Sequence, residues 1–414
     1  MQWRDWLNGM WRRHPGAEAW LDALLPIAVL VVGVQRGGDP PALVLTLSLW
    51  LALKLILKAL VDPPYWVLLG VLLVCEATLL RQTVAVASPT DLLLFLLAFS
   101  VGLGRTRSQW LITAWMVSLI AIVALTTWHG VADQLNSNVS LLPWGALQQA
   151  LQAVVVRIGG IAINRSAYLL GFVVLSAWSL FRHARQAWVR YPALVLALLA
   201  YAFAFLTGSR AGVGVPVLVI VVTELCWRCR HRLSAMATPL AIGALAVLLA
   251  SAALLYQPGS PLAYRSRSDS GRAEVAHCFL RHSMSDPLSF ALGHGASEIS
   301  SACKSETRNP RFIADGLSHA HNVFLQILAD HGAVALVVLA IFAFSALRAS
   351  LLLLASGECF MGFLSLSSVL FFLGFGLVES TLLHVSLLQV CSGYLLASAW
   401  PAGGRRRASR LSAH

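Results

Sequence analysis

Residues 191–227 read YPALVLALLAYAFAFLTGSRAGVGVPVLVIVVTELCW. Two apolar runs, 191–207 and 211–227, flank a single polar turn around Gly208-Ser209-Arg210. Each run approaches the roughly 20 mostly apolar residues that a helix needs to cross a bilayer. The stretch therefore reads as a pair of membrane helices joined at one membrane–water boundary. The whole chain has the same character: of 414 residues, 58% are hydrophobic and 12% charged. A soluble protein carries about a quarter charged residues. Soluble-enzyme, disordered and disulfide-scaffold classes are excluded on that ground.

Outward from this pair, hydropathy predicts an all-α polytopic membrane protein of about twelve spans. They lie near 20–34, 41–61, 65–80, 91–103, 110–128, 167–181, 191–207, 211–227, 236–256, 333–347, 360–378 and 382–399. Two segments between spans are too long to be turns, 129–166 and 257–332. Long loops in compact domains are commonly functional. The expected division is 1–256 (nine spans and the 129–166 segment), 257–332 (a polar outer cap), 333–400 (three spans) and 401–414 (a basic tail). Arg4, Arg12 and Arg13 precede the first span, and no small-residue cleavage site follows it, so it reads as retained.

The net charge of +12 would suggest nucleic acid in a soluble protein, but here it reads as the positive-inside bias. With both termini in the cytoplasm, about 18 of the 30 basic residues fall on that side. They include Lys54, Lys58, Arg105, Arg107, Arg182, Arg185, Arg190, Arg228, Arg230, Arg232, Arg348 and Arg405-Arg406-Arg407. The short outer loops hold only Arg36, Arg81, Arg157, Arg165 and Arg210. Both termini inside requires an even number of spans, and twelve agrees.

Four outer clusters carry residues suited to chemistry. In Thr207-Gly208-Ser209-Arg210-Ala211-Gly212, the glycines permit close backbone approach and Thr207 or Ser209 can cap the next helix. Arg210 is either an interfacial snorkelling side chain or, with the helix N-terminus, an anion site suited to phosphate. In the long outer segment, Arg265-Ser266-Arg267-Ser268-Asp269-Ser270-Gly271-Arg272 sets three arginines within eight positions. That segment holds seven Lys/Arg against seven Asp/Glu, so its arginines are not mere solubilisers. Arg272 is the first candidate for ligand binding and Arg265 the second. A helix is expected over 272–283, with Val275, Ala276, Phe279 and Leu280 at helical spacing.

The third cluster is Ser318-His319-Ala320-His321-Asn322, followed by Val323 to Ala329 and Asp330-His331-Gly332. It reads as a short helix, capped by Ser318 and stopped by Gly332. At about 100° per residue, His319 and His321 would point some 200° apart, so one of them at most would face a given site. His321 is the preferred functional histidine, while His331 suits a structural role at a helix end. The fourth cluster, from Arg157 through Gly159-Gly160 to Asn164 and Arg165, either lines an outer cavity or forms a re-entrant turn. Glu76, inside an apolar span, needs a partner such as Arg81. Cys278 and Cys303 are the two cysteines of the long outer segment, and can pair if that side is oxidising. Cys226 and Cys229 form C-x-x-C with no second ligand pair nearby, so zinc is not expected there. The outer acids do not cluster in a way that indicates a divalent metal.

Taken together, these residues resemble the O-antigen ligase and O-antigen polymerase superfamily of bacterial membrane glycosyltransferases. The resemblance rests on T-G-S-R at Arg210, S-G-R at Arg272, L-G-H-G at Leu292 to Gly295 and the His321-Asn322 segment, in that order on one topology. Ligases carry His, then Asn, Ser or Gln, nine residues, Gly, two residues and Gly, Thr or Tyr. Here His321-Asn322 is followed by nine residues and Gly332, with Ala335 departing from the last position. The resemblance implies transfer of a polysaccharide from undecaprenyl pyrophosphate to lipid A–core on the periplasmic side of the inner membrane. It also implies a metal-independent, inverting enzyme without cofactor. Arg210, Arg272 and Arg265 would hold the pyrophosphate and His321 would activate the acceptor hydroxyl. His319, Asn322, Arg157 and Asn164 would contribute to substrate binding. The alternatives with the same donor are a polymerase and a protein O-oligosaccharyltransferase. An alternative of another class is a lipid-linked sugar transporter, although its site should lie near the bilayer midplane rather than at one boundary.

Overall fold

A computed structural model describes residues 40–56, 93–102, 163–206, 209–256, 270–295, 298–306, 319–379 and 386–397. All regular structure among these residues is helical. The expected spans at 20–34, 65–80 and 110–128 lie outside them, as do Glu76, Arg81, Arg157, Arg265 and the basic tail. Among the described residues, four helices are long and apolar enough to cross a membrane: Ala187–Phe205, Arg210–Arg228, Val323–Ala355 and Cys359–Gly376. Shorter apolar helices cover Leu43–Leu53, Leu93–Gly102 and Ala167–His183.

The helix Cys359–Gly376 is central, with 72% of its span buried against 22% for each helix of the 187–228 pair. It packs on Val323–Ala355, Arg210–Arg228, Ile163–His183 and Ser386–Ala397. Small residues let these backbones meet, as where Gly362 lies on the backbone of Leu354 and Gly393 on that of Phe95. Tyr168 anchors an aromatic cluster, its ring centroid 4.8 Å from Phe375 and 5.1 Å from Phe371. Its hydroxyl lies 3.0 Å from Ser392 Oγ, which gives the buried polar group a partner. By contrast, Leu198, Leu199, Phe205, Leu218 and Leu225 of the 187–228 pair are exposed, as a lipid-facing surface requires. Glu224, an acid in an apolar helix, is accommodated by two bonds from Arg182 (2.7 and 3.1 Å) and one from Trp178 Nε1 (3.1 Å).

Among the described residues between Tyr256 and Val323, three short helices form a cap, Ser270–Ser283, Pro287–Leu292 and Glu298–Glu306. The first begins two residues before the expected start at Arg272. Its apolar face buries Val275, Ala276 and Phe279, whereas Leu280 is exposed and does not belong to it. Cys278 and Cys303 are joined by a disulfide, with Cα atoms 5.8 Å apart. Around it Val275, Phe279, Ile299, Ala320 and Ala329 form a small core of their own. This core is too small to be stable through burial alone, so the covalent link matters. Closing a loop of 25 residues removes about 3.5 kcal/mol of unfolded-chain entropy in the chain-entropy account. Replacing both cysteines by serine should therefore loosen the cap while leaving the membrane helices intact. Limited proteolysis should show faster cleavage within 270–306 and an unchanged pattern elsewhere.

Candidate functional site

The site forms where the cap meets one end of the bundle. The chain enters it through His319-Ala320-His321 and starts the long helix at Val323. Asn322 is the N-cap, in extended geometry. Its Oδ1 accepts from the N–H of Leu325 (2.9 Å), and its Nδ2 donates to the carbonyl of Leu377 (3.0 Å). The expected cap, Ser318, lies outside the described residues. His321 takes φ +52°, a left-handed conformation that bulky side chains rarely adopt.

This backbone overturns the helical phasing of the two histidines. His319 and His321 precede the helix, so the rotation of 100° per residue does not apply to them. Their rings lie 4.4 Å apart and converge on one carboxylate. Glu379 Oε1 is 3.3 Å from His321 Nδ1 and 3.6 Å from His319 Nε2. Glu379 is 2% exposed and His321 is nearly buried, while His319 keeps 22% of its side-chain surface in contact with the outside. Burial pushes the Glu379 carboxyl up, but the hydrogen bonds and charge of the two imidazoles outweigh this and hold it below the usual carboxylate range. Glu379 is therefore an ionised acceptor. It was not singled out in the sequence, although it is the only acid after Glu358 and directly follows an apolar span. Those two features were the available signal.

Gly332 interrupts the helix as expected: it is non-helical (φ +79°, ψ 177°), and a second helical stretch runs on beyond the kink to Ala355. The physical reason lies in the L-G-H-G segment. The N–H groups of His294 and Gly295 bond to the carbonyls of Ala329 (2.9 Å) and Asp330 (3.1 Å). Those carbonyls would otherwise belong to the helical ladder. A β-carbon on Gly332 would collide with the backbone of Ala291 and Gly293, and one on Gly293 with that of Asp330. Two glycines thus face each other across a backbone-to-backbone joint. His331, at the bend, is buried.

Arg210 opens its helix as expected, with Ser209 Oγ accepting the N–H of Gly212 (3.2 Å). Gly212 packs directly on Ala167. The level of Arg210 follows from the helix contacts. Val215 of its helix touches Gly374, and Gly376 lies against Val323 and Phe324. Arg210 lies five residues beyond Val215 and Glu379 five beyond Gly374, roughly 7.5 Å in each case at 1.5 Å per helical residue. The two helices run in opposite directions, so Arg210 and the His321–Glu379 pair lie at the same end of the bundle. Arg272 falls in the first turn of Ser270–Ser283, one turn before Val275, whose small core includes Ala320. Asn164 is the second residue of the Ile163–His183 helix. Arg157 and Arg265 lie outside the described residues.

His319 Nε2, His321 Nδ1 and Glu379 Oε1 lie within 4.8 Å of one another, a donor set that one divalent cation could bridge. The same separations are those of imidazoles bonded directly to a carboxylate. Chemically, a carboxylate on Nδ1 fixes that nitrogen as the N–H donor and leaves the lone pair on Nε2. Arg210, at a helix N-terminus on the same end of the bundle, carries positive charge. Such a pairing can take a proton from a hydroxyl and hold an anionic leaving group.

Residues 194–340 match the family Wzy_C, O-antigen ligase, which supports the resemblance read from the sequence. The matched stretch contains Arg210, Arg272, His319, His321, Asn322 and Gly332, and ends before Glu379. No curated protein matches the chain.

Proposed function

We propose that this protein is an O-antigen ligase. In this reading it transfers a polysaccharide from undecaprenyl pyrophosphate to lipid A–core at the outer face of the bacterial inner membrane, with both termini in the cytoplasm. The observation that carries the reading is His321, held in a left-handed conformation against the buried Glu379 carboxylate at the level of Arg210. Backbone strain concentrates where a side chain must be presented in one geometry.

The acceptor hydroxyl oxygen attacks the anomeric carbon of the donor sugar. The carbon–oxygen bond to the pyrophosphate breaks, and the pyrophosphate leaves on its lipid with the bonding electrons. The hydroxyl proton passes to His321, and a single displacement inverts the anomeric centre. Arg210, Arg272 and Arg265 stabilise the negative charge that develops on the leaving group, the role a metal ion would otherwise fill. Glu379 orients His321 and stabilises its protonated form. Arg157 and Asn164 would contact the donor from the preceding segment. His319 would face the acceptor from its more exposed position. Asn322 already uses its amide oxygen and nitrogen within the fold, which supports a role in holding the loop.

The test is reconstitution of the purified protein in liposomes with lipid-linked glycan and lipid A–core. Ligase activity should produce a new glycan-bearing lipid A–core, and it should persist after exhaustive chelation of divalent cations. Lengthening of glycan on the carrier without transfer to core would mean a polymerase. Glycosylation of an added protein acceptor in place of core would mean a protein O-oligosaccharyltransferase. Movement of the lipid-linked sugar across the bilayer with no new bond would mean a transporter.

A further inference from the structure

The histidine-bearing loop is held from below by a buried side chain. Ala320, between the two histidines, precedes the helix, so its N–H has no place in the helical ladder. It donates to Gln326 Oε1 at 2.8 Å. Gln326 Nε2 in turn donates to Asp330 Oδ2 at 2.7 Å. Gln326 is 2% exposed and Asp330 6%. Both lie on the first stretch of the long helix, one turn apart, and the backbone N–H of Gln326 bonds to the carbonyl of Asn322 at 2.9 Å. Asp330 is itself fixed, since its carbonyl accepts from Gly295 of the cap (3.1 Å). A line of hydrogen bonds therefore runs from the bend in the helix to the peptide between His319 and His321.

The residue types match this task. A primary amide offers an acceptor and two donors on one planar group. It can accept the backbone N–H while donating to a carboxylate. Leucine, of similar size, does neither. Glutamate accepts the N–H but sets a second carboxylate against Asp330. A glutamine buried in an apolar helix is costly unless fully bonded, and here its bonds end on the one peptide whose orientation sets both imidazoles.

We propose that Gln326, seated on Asp330, is the positioning residue that holds the Ala320 peptide and thereby presents His321, in its left-handed conformation, to Glu379 and the acceptor. The catalytic consequence rests on the ligase reading above, whereas the positioning itself does not. A misplacement of about 1 Å at a reacting group can cost on the order of 10²-fold. Gln326→Leu should accordingly lower kcat roughly 10- to 100-fold, with little change in KM for the lipid-linked donor, because Arg210 and Arg272 are untouched.

Gln326→Glu distinguishes positioning from packing. It should be impaired at neutral pH. Its activity relative to wild type at the same pH should rise as the pH falls, because a proton shared with Asp330 restores one donor and one acceptor. A readout without activity accompanies both variants: the rate at which diethyl pyrocarbonate acylates His321, followed by mass spectrometry on the intact membrane protein. Release of the loop should raise that rate several-fold in Gln326→Leu, at an unchanged melting temperature of the bundle. Transfer by Gln326→Leu within about twofold of wild type, or an unchanged acylation rate, would overturn the proposal. So would a relative activity of Gln326→Glu that ignores pH. If the wild-type protein itself transfers nothing while the acylation rates still differ, the ligase reading fails and the positioning role stands.

Discussion

Replacing His321 by alanine should reduce glycan transfer by about 10²- to 10⁴-fold at normal protein abundance. The magnitude follows from the role. A hydroxyl attacking a sugar carbon becomes acidic only as the new bond forms, and a group that takes its proton then lowers the barrier by several kcal/mol. The structure gives His321 the features this requires: a fixed ring, a carboxylate 3.3 Å from Nδ1, and a backbone held by Asn322. Glu379→Gln should give a smaller loss, because the amide still accepts a hydrogen bond but no longer stabilises the protonated ring. The assay is transfer in reconstituted liposomes, supported by the lipopolysaccharide profile of a deletion strain carrying each variant. Added imidazole should partly restore His321→Ala, since it replaces the missing proton acceptor without repairing structure. Full activity of His321→Ala would remove the histidine from the mechanism.

Substituting Gly332 by alanine should destabilise the junction between cap and bundle by about 3 kcal/mol or more. Two contributions add. A non-glycine residue forced into the extended region at positive φ costs about 1–3 kcal/mol. Overpacking against immobile atoms adds typically 1–3 kcal/mol, and here the obstacle is the backbone of Ala291 and Gly293, which cannot rotate away. Gly293→Ala should behave alike, since its β-carbon would meet Asp330. By contrast, Gly214→Ala has open space on every side and should be nearly neutral. Thermal unfolding in detergent together with proteolysis of the cap would measure the difference. Equal stability of Gly332→Ala and Gly214→Ala would refute the joint.

The sequence disclosed those parts of the fold that local chemistry governs. Hydropathy placed a span at 211–227 and another at 360–378, against helices Arg210–Arg228 and Cys359–Gly376. Ser209 was legible as a cap because its hydroxyl serves its own helix. The errors share one cause, contacts between residues distant in sequence. His319 and His321 were assigned opposite faces because helical periodicity was extended back to Ser318. The actual start is fixed by Asn322 bonding to Leu377, 55 residues away. Gly332 was legible as a helix stop, and its conformation is non-helical. The L-G-H-G backbone packed against it is what no local pattern reveals. Glu379 escaped notice because its significance depends on a histidine 58 positions earlier.

That long separation has a consequence for biogenesis. Chains emerge from the ribosome N-terminal end first. Arg210, Arg272 and His321 are all synthesised before the helix Cys359–Gly376 and the Leu377–Glu379 segment that follows it. Until that helix has been inserted, Asn322 lacks Leu377 and the two imidazoles lack Glu379. A nascent or truncated chain thus holds Arg210 and Arg272 without the His321–Glu379 pair. The His321–Glu379 pair can therefore assemble only after the helix Cys359–Gly376 and the segment that follows it have been made.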